Sequence, residues 1–134
     1  SLHHQGFHSI LILNGHGGND PAKVMLGELA NELKDLQLAW YNWWKASNVT
    51  AVAEAYNLKT YHASWLEAFP FLRTSNMPDG EKPPFETNRI LSSEKVREAI
   101  GDGVYGGAYK ASDQVMNEVF AAALKDILFL LQFV

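Results

Sequence analysis

One histidine set among glycines, in the run Asn14-Gly15-His16-Gly17-Gly18-Asn19, is the side chain of this protein best placed to do chemistry. Imidazole is the commonest metal ligand among side chains and the commonest general acid or base near neutral pH, and the residues alone leave both roles open. The surrounding glycines permit backbone conformations closed to other residues and let a ligand or ion approach closely. Asn14 and Asn19 are placed to brace such a turn through side-chain to backbone hydrogen bonds. A phosphate cradle fits poorly. No lysine completes a G-x-x-x-x-G-K-[ST] pattern, and Asp20 stands where a dinucleotide fingerprint requires its third glycine. A plain solvated loop histidine is the other reading.

The elements that must position His16 read as α/β. Residues 10–13, Ile-Leu-Ile-Leu, have the length and β-branched content of a short buried strand. Asp20-Pro21 then signals a helix start, and the helix runs over 21–33 with Val24, Leu26, Leu29, Ala30 and Leu33 as its apolar face. Strand, glycine turn and helix together put His16 at the carboxyl edge of a sheet, where α/β proteins bind ligands. A second strand is expected over 36–44, a short helix over 49–56, and a further helix over 62–69 stopped at Pro70. Residues 73–85 read as loop, with Pro83-Pro84 as the firmest signal. A short helix over 93–100 and a glycine-rich turn over 101–107 follow. Residues 112–131 form the closing helix, capped by Ser112, with Val115, Val119, Ala122, Ala123, Ile127 and Leu130 turned inward.

Two further groups could take part in chemistry. His62 and Glu67 lie five residues apart, which on a regular helix separates them by about 140°. They are poor partners for one ion unless His62 precedes the helix; the bland reading makes His62 a brace and Glu67 a solvated carboxylate. Trp40, Trp43 and Trp44 crowd the end of the second strand. They serve either as packing or as a flat wall for a small planar or cyclic substrate.

Composition bounds the rest. With 134 residues, 47% of them hydrophobic, the chain is long enough for one domain with its own core, spanning 1–134. The absence of cysteine excludes disulfides and thiolate-ligated zinc, and fits a reducing compartment. No secretion-signal pattern is present, so a cytoplasmic location is expected. A net charge of −4 gives no electrostatic case for nucleic acid, and the most apolar stretch, 127–134, is too short to span a membrane.

The run Asn14 to Asn19 resembles the N-G-H-G-G-N signature of the creatininase (creatinine amidohydrolase) family. The preceding Ser1-Leu2-His3-His4-Gln5-Gly6-Phe7 is similar to the segment that leads into it. His62-Ala63-Ser64-Trp65-Leu66-Glu67 resembles the family's second motif, H-A-G-E-x-E-T. Gly103-Val104-Tyr105-Gly106 with Ala111-Ser112 resembles the glycine turn before its last helix. The resemblance runs through nearly the whole chain in order and covers the C-terminal half of the family pattern. The E-x-H…D motif of the N-terminal half, which supplies a glutamate, a histidine and an aspartate to a two-metal site, does not occur here.

That resemblance implies an α/β fold, a three-layer αβα sandwich with a mostly parallel sheet, incomplete relative to the family. It implies hydrolysis of a C–N bond in a small cyclic amide or formamide-like substrate with two divalent ions (Zn²⁺, Mn²⁺ or Fe²⁺). His16 matches a metal ligand, with Gly17 and Gly18 leaving room for substrate. His62 matches the proton donor to the leaving group, and Glu67 the acid of the second motif, a candidate metal ligand. Trp44, with Trp43 next, matches a tryptophan beside the substrate. Trp65 replaces a family glutamate and suggests a different pocket wall. His16 and His62 are then expected to face one cleft about a substrate's width across. With the other ligands missing, the chain alone is expected to be inactive. The alternatives are a non-catalytic α/β fragment or a small-anion-binding module. Homo-oligomers are expected, from an incomplete sheet and the apolar tail Phe129-Leu130-Leu131-Gln132-Phe133-Val134, with no nucleic-acid or membrane partner.

Overall fold

The computed structural model describes all 134 residues, Ser1–Val134. Contacts divide the chain into two compact units, one of Ser1–Thr50 with Ala121–Val134 and the other of Ala51–Phe120. The elements alternate helix and strand, with parallel pairing in the main sheet, as the α/β expectation requires. No helix is long and apolar enough to cross a membrane.

The first unit is built on a β-α-β segment. Strand β1 (Ser9–Asn14) and strand β2 (Gln37–Asn42) pair in parallel, with helix α1 (Pro21–Glu32) between them in sequence. The register runs from Ser9 beside Gln37 to Asn14 beside Asn42, so both strands end level at their carboxyl edge. Beyond β2 the expected continuation of the strand to residue 44 is replaced by a 3-10 turn, Trp43–Lys45. Helix α2 (Ser47–Ala55) follows, and helix α4 (Asp113–Leu130) returns the chain to this unit.

Two sequence expectations change here. Residues 10–13 form a strand, but not a buried one: Ile10, Leu11 and Ile12 are half-buried and Leu13 is 56% exposed. In α1 no residue is buried, and Val24 of its expected apolar face is 70% exposed. A sheet of two strands explains both, because each strand has a single neighbour and the sheet presents too narrow a face to cover a helix.

The second unit holds most of the core: Ala53, Trp65, Leu66, Ala68, Phe69, Ile100, Val115, Met116 and Val119. Val115, Met116 and Val119 share the inward stripe of α4, whose first turn is capped by the Ser112 hydroxyl accepting from the Val115 N–H at 3.3 Å. Helix α3 (Ser93–Ile100) is capped in the same way by Ser92. The glycine-rich turn ends in β4 (Gly107–Ala108), which pairs antiparallel with β3 (Glu81–Lys82), a short strand within the region expected to be loop. Gly106 has a φ of +143° and a Cβ there would sit 2.7 Å from Pro84 Cα, so only glycine lets this turn close on the Pro83-Pro84 segment.

The helix expected over 62–69 does not form. Ala63 takes a left-handed conformation (φ +55°), and the Ser64 hydroxyl turns back to the Tyr61 carbonyl at 2.8 Å. Local side-chain bonds of this kind compete with helix formation. What remains are two 3-10 turns, Trp65–Glu67 and Pro70–Leu72.

Trp65 is 0% exposed and its indole N–H donates to the Lys59 carbonyl at 2.9 Å. Its replacement by alanine leaves a large cavity and an unpaired carbonyl, so Trp65→Ala is expected to lose about 3–5 kcal/mol of stability by urea unfolding, with Trp65→Phe losing less. A second expectation concerns acid. The Lys82 ammonium, the Tyr109 hydroxyl and the Val104 N–H hold the Asp102 carboxyl down at about 2. Because this folded value lies below that of an unfolded aspartate, near ~3.9, the contribution is complete above that value and disappears as the pH falls through about 2. Asp102→Asn should therefore flatten that part of the acid dependence of the urea midpoint, and a variant with an unchanged acid limb contradicts the assignment.

Candidate functional site

The loop carrying His16 is held by one buried amide. Asn14, the last residue of β1, is 2% exposed and uses both ends of its side chain. Its Oδ1 accepts from the His16 backbone N–H (3.3 Å) and from Asn19 Nδ2 (2.9 Å). Its Nδ2 donates to the His16 carbonyl (3.0 Å) and to Asn42 Oδ1 (2.7 Å). Asn14 thus braces the turn through the backbone as expected, whereas Asn19 acts through the Asn14 side chain. Asn42 extends the network: its Oδ1 also accepts from the Trp40 indole N–H (2.8 Å), and its Nδ2 donates to Asp20 Oδ1 (3.2 Å). Lys45 stands 3.7 Å from the other oxygen of Asp20.

His16 itself is extended (φ −153°, ψ 137°) and caps the 3-10 turn Gly17–Asn19. Its Nδ1 accepts from the Gly18 N–H at 3.0 Å. A neutral imidazole has one lone pair, so with Nδ1 as acceptor the ring hydrogen lies on Nε2. The two glycines after His16 have different uses. A Cβ on Gly18 would stand 2.8 Å from His16 Nδ1 and push the ring aside, whereas a Cβ on Gly17 would lie 3.9 Å from the Trp44 ring. Trp44 therefore flanks the glycine turn, as a wall beside His16 would. Trp43 meets Trp44 edge to face, with ring centroids 6.3 Å apart. At the same edge, a cavity of about 410 Å³ is bordered by Lys23, Trp40, Asn42, Lys45 and Asp126 among others.

His62 and Glu67 lie in the second unit. With the helix replaced by a turn, the 140° separation does not apply. The Glu67 carboxylate accepts from the Ala63 N–H at 3.0 Å and so pins the turn that carries His62. The His62 ring is exposed and packs edge to face on Tyr105 at 5.0 Å, while the Tyr105 N–H donates to the His62 carbonyl at 3.1 Å. Tyr105 in turn accepts from the Phe85 N–H at 2.7 Å. Trp65, expected as a pocket wall, is instead a buried core side chain, because its indole is directed to the Lys59 carbonyl.

Sequence reading passed over Asn42, Asp20, Lys45 and Tyr105. Asn42 becomes visible only through the register that sets it beside Asn14, and Tyr105 only through the closing of the glycine turn. Asp20 also bears on the anion reading. Its carboxylate, on the residue that opens α1, adds negative charge at the helix end that a bound anion would use. As to metal, His16 is not part of any group of three His, Asp or Glu side chains with converging ligand atoms. It fits as one ligand of a larger set, because divalent sites require three or four.

Removing the Asn14 amide strips partners from His16, Asn19 and Asn42 at once. Asn14→Ala is expected to cost about 1–3 kcal/mol and to speed amide hydrogen exchange at Gly18 and Asn19. A variant whose Gly18 exchange matches the parent's would show that the loop stands without it.

Comparison with known proteins bears on the whole chain. No curated protein and no solved structure matches it. A family model, Creatininase (creatinine amidohydrolase), matches residues 1–131. The glycine turn that presents His16 and the turn that presents His62 both fall inside that span, and by it the chain belongs to the creatininase family, amidohydrolases whose members generally bind divalent metals.

Proposed function

We propose that this chain contributes to a metal-dependent hydrolase that cleaves a C–N bond in a small cyclic amide or formamide-like substrate. The observation that carries the reading is His16, exposed on a glycine turn whose backbone is locked by Asn14 and walled by Trp44. In this reading His16 is one ion ligand, and the remaining ligands come from outside these 134 residues. Divalent ions, when bound, lower the pKa of water towards neutrality and polarise a carbonyl. Imidazole and carboxylate ligands suit Zn²⁺, Mn²⁺ and Fe²⁺ alike.

The chain's own residues supply the rest. Ligation through either nitrogen requires that His16 give up the Gly18 N–H, because ligation through Nε2 moves the ring hydrogen to Nδ1. Gly17 and Gly18 keep the space over the turn clear of side chains, and Trp44 offers an aromatic face to a planar ring. His62 delivers a proton to the departing nitrogen, from a turn that Glu67 and Tyr105 hold in place. Glu67 serves as an ion ligand only if its bond to Ala63 is released, so we favour a positioning role for it.

Metal content and hydrolysis of a panel of cyclic amides and formamides test this together. In a full-length relative that carries the E-x-H…D half as well, His16→Ala should lose one bound ion. His62→Ala should keep its metal and lower turnover roughly 10²–10⁴-fold, the usual worth of general acid help. Equal metal loss in both variants would make His62 a ligand, and full activity in His62→Ala would leave it a purely structural residue.

A further inference from the structure

A second set of metal-ligating side chains lies at the other end of the parallel strand pair. His3 sits in the 3-10 turn His3–Gln5, His8 immediately precedes β1, and Asp35 lies just before β2. All three are thus at the amino edge of the strands, while His16 is at the carboxyl edge. The length of β1, about 20 Å at ~3.3 Å per residue, separates the two ends. Asp35 uses one oxygen for each imidazole: Oδ1 is 2.9 Å from His3 Nε2, and Oδ2 is 3.0 Å from His8 Nδ1. The three ligand atoms lie within 4.8 Å of one another, and the two rings meet edge to face at 5.1 Å.

We propose that His3, His8 and Asp35 form a binding site for a divalent transition-metal ion of the Zn²⁺ kind. Two imidazoles and a carboxylate are a donor set that zinc accepts in tetrahedral geometry, with solvent in the fourth position. Bonds of ~2.0–2.1 Å in a tetrahedron place donor atoms about 3.3 Å apart. The Asp35 contacts therefore open by a few tenths of an ångström, and the two ring nitrogens draw together. Side-chain rotations supply this, because His8 and Asp35 are largely exposed, at 52% and 62%. Mg²⁺ and Ca²⁺ are disfavoured, since they take oxygen ligands. Each ligating nitrogen must offer its lone pair, so binding moves the ring hydrogen of His3 to Nδ1 and that of His8 to Nε2. The bound ion would clamp the segment that leads into β1 to the turn that leads into β2. Gly6, with φ +92°, folds that leading segment back so that His3 and His8 reach the same carboxylate.

The test is titration of the full chain with ZnCl₂ at about pH 7.5, where most imidazole is neutral, read by long-range ¹H–¹⁵N spectra of the histidine rings and by calorimetry. One equivalent should shift His3 Nε2 and His8 Nδ1 and leave His3 Nδ1 and His8 Nε2 protonated. His3→Ala, His8→Ala and Asp35→Asn should each weaken that binding about tenfold or more with unchanged circular dichroism. His16→Ala should leave those shifts intact, which separates this site from any ion at the carboxyl edge. Ring nitrogens of His3 and His8 that do not respond to zinc would overturn the proposal. So would a folded His3→Ala/His8→Ala variant that binds zinc as tightly as the parent.

Discussion

The carboxyl end of this fold depends on two amides held side by side. Parallel pairing sets Asn14 and Asn42 at matching positions, and their side chains bond at 2.7 Å. From that contact the network reaches the backbone of His16, the side chain of Asn19, the Trp40 indole and the Asp20 carboxylate. A shift of one residue in register would point one of the two amides to the opposite face of the sheet. The glycine turn would then lose the frame that sets its shape. Strand pairing and site geometry are one constraint here.

The two histidine-bearing turns are built on the same physical idea. Each is a short segment outside any α-helix in which a nearby side chain bonds to the backbone: Asn14 for His16, and Glu67 with Ser64 for His62. Each runs into a single 3-10 turn, Gly17–Asn19 or Trp65–Glu67. That leaves the imidazole on a rigid loop while keeping it exposed. In the second unit the rigidity also depends on close backbone approach. Gly106 against Pro84 and Gly107 against the Tyr61 ring admit no side chain, and Tyr105 just before them carries the ring on which His62 rests.

Local signals in the sequence were reliable where one residue's chemistry decides the outcome. Pro21 opens α1, Ser92 and Ser112 cap their helices, and the asparagines flanking His16 bond to its loop. The signals failed where a partner far along the chain decides. A helix was expected over 62–69 up to Pro70, but Ala63 and Ser64 settle into a turn, with the His62 carbonyl and the Ala63 N–H paired to Tyr105 and Glu67. The apolar stripe of α1 was legible as a stripe, yet nothing in it revealed that the paired strands would be only two. Trp65 was expected to wall a pocket because it stands in place of a family glutamate; in the fold it is buried with its indole N–H on the Lys59 carbonyl, a pairing the motif does not show.

The chemical nature of the support around His16 has a practical result. Asn14, Asn19 and Asn42 carry amides, which neither gain nor lose a proton over any range in which a protein stays folded. Their bonds are dipolar and short-ranged, so added salt screens them far less than it would an exposed ion pair. Salt and moderate pH change therefore leave the mutual bonds of the three amides in place, and charge enters the frame only at Asp20 and its partner Lys45.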